Sequence, residues 1–280
     1  MLRRWCIPLA GLTLVAGWMF AASAAAAAPQ GPRAPAAQAR GPGGPMIRPA
    51  GHVTVPLSGR GAVRSTAYST NWSGYAAHGG TYSSVSASWV EPTGTCTSGH
   101  KYSSFWVGLD GYSSGTVEQT GSEVDCGNKT ARYYSWYEMY PAYPVNFSNT
   151  VRPGDHFTGS VTFTGSVTFT GSVTFTGGSG FTLKLSDTTQ GWSHTVNASL
   201  AGAARSSAEV IVEAPSSISG VLPLADFGTV YITGSTVNGS AIGNFNPTQI
   251  IMVNSGGQAK DSVSSLTSGQ NFSATWLRSN

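Results

Sequence analysis

Gly159-Ser-Val-Thr-Phe-Thr164, Gly165-Ser-Val-Thr-Phe-Thr170 and Gly171-Ser-Val-Thr-Phe-Thr176 follow one another without a break. Each copy alternates: Val161/Phe163, Val167/Phe169 and Val173/Phe175 point one way and the hydroxyl side chains the other. That is the period of a β-strand, in β-branched and aromatic residues that suit a pleated surface. Because six is even, gaining or losing a copy leaves the inward and outward sets in phase. The run therefore reads as a tandem duplication that lengthens a strand or adds a hairpin, not as a solenoid repeat.

The same texture extends from about Ser65 to the C-terminus. Short runs rich in Val, Thr, Tyr, Phe and Trp are separated by Gly, Ser, Asn and Pro, with no helical period. Strands are predicted at 85–90, 104–109, 116–119, 132–140, 181–185, 194–200, 208–213, 229–232, 249–253 and 272–276. Ten or more strands in about 215 residues give an all-β domain, most economically one sandwich of two antiparallel sheets.

The N-terminal part differs. Arg3 and Arg4, an apolar run from Ile7 to about Ala22 and an alanine tract ending near Ala28 predict an export signal over 1–28, with a secreted product. The apolar run is short for a membrane span, so no membrane association is expected after its removal. Residues 29–67, rich in Pro, Gly, Ala and Arg, read as a disordered leader or propeptide, leaving 68–280 as the folded domain. Seven of the fifteen basic residues and none of the twelve acids precede residue 65. The remaining domain, with eight bases against twelve acids, is mildly acidic. The overall pI near 8.8 thus describes the precursor and does not point to nucleic acid.

Of three cysteines, Cys6 falls in the signal, and Cys96 with Cys126 predicts one disulfide. Closing that loop is worth about 3–4 kcal/mol on the chain-entropy account. Charged residues are only 10% of the chain, which leaves fewer paired carboxylates to lose in acid. His52, His78, His100, His156 and His194 are scattered, so no metal or other cofactor is implied. Gly111-Tyr-Ser-Ser-Gly115 matches Gly-x-Ser-x-Gly but lacks the helix that motif requires, and reads as a turn.

Alternation sorts the candidate chemistry. In 104–110, Phe105, Val107 and Leu109 form a core stripe, with Trp106, Gly108 and Asp110 on the other face. In 134–140, Tyr134, Trp136, Glu138 and Tyr140 share a face. In 208–213, Glu209, Ile211 and Glu213 oppose Ala208, Val210 and Val212. By alternation alone, the aromatics read first as core filling and the two glutamates as solvated strand residues. An aromatic groove for an extended chain is the alternative.

Five ordered motifs favour the groove. Asn71-Trp-Ser-Gly-Tyr75, Phe105-Trp-Val-Gly-Leu-Asp-Gly111, Glu118-Gln-Thr-Gly121, Trp136-Tyr-Glu-Met-Tyr-Pro141 and Ala208-Glu-Val-Ile-Val-Glu213 together resemble the glutamic peptidases, or eqolisins. A weaker sixth is Pro247-Thr-Gln-Ile-Ile-Met-Val-Asn254. The resemblance implies a concanavalin-like sandwich with a concave active-site face, acid endopeptidase activity on proteins or peptides, and a catalytic dyad of Gln119 and Glu213. Trp72, Trp106, Asp110, Trp136, Glu138 and Tyr140 fall where groove and subsite residues are expected, and Glu209 is left a bystander. Glu123 and Asp125, in the segment after Gln119, compete for the place of the family's loop carboxylate. A monomer is expected, and the basic leader is expected to dock on groove acids at neutral pH. A non-catalytic carbohydrate-binding module on the same sandwich is the alternative function, and it would not need both Gln119 and Glu213.

Overall fold

The computed structural model describes residues 65–169, 175–217 and 219–280. The signal and leader predicted over 1–67 lie almost wholly outside them. The first nine strands are β1 (Thr66–Ser69), β2 (Trp72–His78), β3 (Ser84–Val90), β4 (His100–Leu109), β5 (Val117–Gly127), β6 (Thr130–Tyr140), β7 (Val145–Asn146), β8 (His156–Phe169) and β9 (Phe175–Asp187). The other nine are β10 (Trp192–Leu200), β11 (Ser207–Glu213), β12 (Ser216–Ser217), β13 (Gly220–Val221), β14 (Thr229–Val237), β15 (Ser240–Ala241), β16 (Thr248–Met252), β17 (Asp261–Val263) and β18 (Phe272–Trp276).

One sheet has the order β1-β16-β2-β11-β4-β5-β6-β7, the other β10-β9-β8-β3-β14-β18-β17, with β15 beside β14. The expected all-β sandwich is therefore present. Its pairings are antiparallel except at one edge, where β1 runs parallel to β16.

The predicted alternation divides the apolar residues into two clusters. Phe105, Val107 and Leu109 of β4 and Ala208, Val210 and Val212 of β11 face the second sheet. There they meet Trp89, Phe157, Val161 and Leu183 from β3, β8 and β9, and each such buried side chain contributes on the order of 2 kcal/mol. Trp106 and Ile211, the intervening residues, join Trp72, Trp136 and Ile250 in a separate cluster on the far face of the first sheet. That far face carries the residues assigned to the groove.

Several strands are longer than the sequence predicts. β5 continues through Ser122-Glu-Val-Asp-Cys126, so Glu123 and Asp125 stand in a strand and not in a loop. β4 and β6 both keep pairing alongside it, down to His100↔Gly127 and Gly127↔Thr130. Near its end Cys126 is bonded to Cys96, with Cα atoms 5.2 Å apart. The first hexad copy lies inside the sandwich: Val161 is buried and pairs with Leu183, and Phe163 pairs with Phe181. Beyond it β8 and β9 continue as a hairpin as far as Phe169↔Phe175; residues 170–174, within the second and third copies, lie outside the described residues.

Candidate active site

Register sets the groove floor in three rows. The first runs Thr248, Ala76, Glu209, Gly108, Gln119, Glu138 across six strands. The second runs Ile250, Gly74, Ile211, Trp106, Gly121, Trp136. The third brings Trp72, Glu213, Ser104, Glu123 and Tyr134 into line. Two glycines let the middle row close up. A Cβ on Gly121 would lie 2.2 Å from the Phe105 carbonyl, and one on Gly74, at φ 127°, 2.2 Å from that of Val210.

Glu213 ends β11, and the backbone N–H of Ala214 bonds to the Asn71 carbonyl at 2.8 Å. That bond brings the turn before β2 against the carboxyl. The Ser69 hydroxyl donates to Asn71 Oδ1 at 3.1 Å, which turns Asn71 Nδ2 toward Glu213 Oε1 at 3.3 Å. The Trp106 indole donates to Glu213 Oε2 at 2.8 Å, and Trp72 packs edge-on against Trp106 with ring centroids 5.0 Å apart. Burial pushes the Glu213 carboxyl up to about 8, and the Glu138 charge adds to this; donors from Trp106, Trp72 and Asn71 pull the other way. At acid pH the resting group is therefore protonated.

Gln119 is buried and donates from Nε2 to Glu138 Oε2 at 2.5 Å, while its Oε1 accepts no hydrogen bond. Glu138 thus touches Gln119 directly and acts on Glu213 through its charge. Trp136 lies one row below, buried in the groove cluster, and Tyr140 packs at its margin. Glu123 is buried in the row of Glu213, while Asp125, farther along β5, is partly exposed.

β4 stops at Leu109, where Asp110 takes φ 68° and its carboxylate meets the loop before β11. There it accepts from the backbone N–H of Arg205 at 2.7 Å and of Ser206 at 2.8 Å, and from the Ser114 hydroxyl at 3.1 Å. The Gly-x-Ser-x-Gly stretch is accordingly a turn, braced by Asp110.

Asn71 is a site residue that sequence reasoning did not select. It was quoted within the first motif, but nothing local signals that its amide would meet Glu213, 142 positions away. The two glutamates of β11, read by alternation as solvated, are both buried. Among the described residues no group of three His, Cys, Asp or Glu side chains is set to hold a metal ion.

A sandwich whose groove holds a buried carboxyl and carboxamide among tryptophans has the equipment of a hydrolase for extended chains. Comparison with known proteins specifies which kind. The profile described as "Peptidase A4 family" matches residues 70–276, and the chain belongs to that family. Aspergillopepsin-2 of Aspergillus niger is 27% identical over 260 residues, 82% of this chain and 88% of its own. Scytalido-glutamic peptidase, solved with a transition state analog inhibitor, superimposes with a TM-score of 0.61 at 24% identity, over 74% of this chain and 98% of that one. SCP-B, an eqolisin solved with the tripeptide Ala-Ile-His, gives 0.57 at 22% over the same shares. The chain is a glutamic peptidase, a hydrolase of peptide bonds, and not the sugar-binding module that the sequence left open.

Proposed function

We propose that Glu213 and Gln119 are the catalytic pair and that the enzyme cuts within polypeptides in acid. The observation that carries this reading is the placing of the Glu213 carboxyl between the Trp106 and Asn71 donors, with Glu138, the acceptor of the Gln119 amide, near enough to act on it by charge.

In this mechanism Glu213 as carboxylate takes a proton from water while the water oxygen attacks the scissile carbonyl carbon. The carbonyl electron pair moves onto oxygen. A carboxamide nitrogen carries two N–H groups. One N–H of Gln119 is held by Glu138, which fixes the plane of the amide and leaves the other for the oxyanion. Collapse breaks the C–N bond, and Glu213 returns the proton to the leaving nitrogen. No covalent enzyme intermediate forms. The base form of Glu213 is reached when water and substrate add donors to its carboxylate, which lowers the Glu213 pKa.

Trp72, Trp106, Trp136 and Tyr140 form the walls along which an extended chain lies, and Asp110 acts by fixing the two loops at one end. The chain is read as an exported monomer with a signal over 1–28, a leader over 29–67 and the catalytic domain over 68–280.

The test is hydrolysis of denatured haemoglobin at pH 3–4 by the processed protein and by Glu213→Ala and Gln119→Ala. Loss of the base lowers the rate about 10²- to 10⁴-fold, and loss of the amide costs on the order of 3–4 kcal/mol of transition-state stabilisation. Full activity in either variant would refute the pair.

A further inference from the structure

Glu209 is a groove acid that this mechanism does not use. It is fully buried, yet neither carboxyl oxygen has a hydrogen-bond partner of normal geometry. Its register neighbour on β4 is Gly108, where a side chain has no room. A Cβ there would lie 2.9 Å from Cζ3 of Trp106 and 3.2 Å from Cβ of Gln119. The Trp106 indole therefore runs along β4 with its benzo edge over Gly108, next to Glu209, and its Nε1 on Glu213. One ring spans the level of both glutamates.

We propose that Glu209 is a positioning residue whose neutral carboxyl packs beside the benzo edge of Trp106 and keeps the indole where Nε1 meets Glu213. The proposal rests on the reading of Glu213 as the catalytic base. A neutral carboxyl is tolerated in such a niche more readily than a carboxylate with only two poorly aligned donors and no cation. The charges that reach Glu209 are those of Asp110 and Glu118, both negative; the nearest donors are the Ser207 hydroxyl and the Tyr112 backbone N–H. Tyr82 feels the Glu209 charge in turn. His78, stacked on Tyr112 at 4.5 Å, is pushed by burial toward its neutral form. Ionised Glu209 is then accommodated only by water entering beside the ring, which moves the indole and loosens its bond to Glu213.

The experiment compares the parent, Glu209→Gln and Glu209→Ala in steady-state peptide hydrolysis from pH 4 to pH 8, with tryptophan emission followed over the same range. Glu209→Gln, neutral at every pH and nearly the same shape, is expected to keep kcat within about twofold at pH 4 and to hold activity to higher pH than the parent. Glu209→Ala leaves the ring edge unsupported and is expected to lower kcat about tenfold with KM within about threefold. The parent's emission should shift to the red as pH rises while far-UV dichroism stays folded, and the shift should be smaller in both Glu209→Gln and Trp106→Phe. The proposal is overturned if Glu209→Gln is as impaired at pH 4 as Glu209→Ala, if Glu209→Ala matches the parent, or if the emission shift survives in Glu209→Gln. Glu213→Gln, run alongside, separates the two readings. Full activity there refutes the catalytic pair, while the emission series still decides the role of Glu209.

Discussion

The outward faces of the two sheets are built from the same alternating strands and carry opposite chemistry. On the second sheet one register row reads Thr233, Ser88, Thr158, Ser186, Ser193 across five strands. Its hydroxyls bond to each other, Ser88 to Thr158 at 2.8 Å and Ser186 to Ser193 at 2.9 Å. On the first sheet the corresponding surface holds Glu209, Glu213, Glu138 and Gln119 out of water among tryptophans. Both sheets use their inner faces for the shared core, so that core leaves each outer face free to differ. Hydroxyls carry no charge that changes with pH, whereas buried carboxyls make the fold depend on protons.

The largest expected effect is on stability against pH, where the groove carboxyl Glu213 acts together with carboxyls buried elsewhere in the sandwich. Glu91, Glu118 and Glu213 are raised from 4.5 to about 8, and Asp261 from 3.8 to about 7, chiefly by burial. The native state then holds protons that the unfolded chain has released. The stability these groups contribute is full below about pH 4 and is lost as pH rises through 7 to 8. Lys260, lowered by burial to about 8, has the opposite effect, but only above that pH. Unfolding free energy from urea titration is expected to fall by several kcal/mol between pH 4 and pH 8. A flat profile would break the comparison.

The next effect is smaller and confined to the groove. Gly108→Ala pushes against Trp106 and Gln119 together, and a displacement of about 1 Å in such groups costs up to about a hundredfold in rate. The measurement is kcat at pH 4 with the thermal midpoint as control, and unchanged kcat would show that the floor is less tightly packed than described. Smallest of all, Ser88→Ala with Thr158→Ala on the hydroxyl face should leave peptide hydrolysis unaltered and move stability by no more than about 0.5 kcal/mol per site. A larger loss would mean that the hydroxyl row also supports the groove.

Much of this was legible before any coordinates. Alternation separated Phe105, Val107 and Leu109 from Trp106, and Val210 and Val212 from Ile211, because the side-chain period of a strand is local. Five motifs in order led to the family. Asp110 lies just past the end of β4, where a residue at positive φ ends the period, so alternation alone does not place it. Glu123 and Asp125 were assigned to a loop because a Ser-Glu-Val-Asp run resembles one until two long neighbours hold it extended. Scarce charge gives one sequence-level reason to expect tolerance of acid, and the burial that raises Glu91, Glu118, Glu213 and Asp261 adds a second that only the structure supplies.

The sequence by itself determined ten of the strands, the alternation of faces within them and the cross-link between Cys96 and Cys126, all from short-range periodicity and residue counting. Tertiary structure alone decided that Asn71 and Trp106 would meet at Glu213, that Gln119 would bond to Glu138, and that Gly108 would leave room for the indole beside Glu209. Those contacts depend on register between strands far apart in the chain. The proton affinities depend on how completely those strands exclude water, which no local pattern encodes.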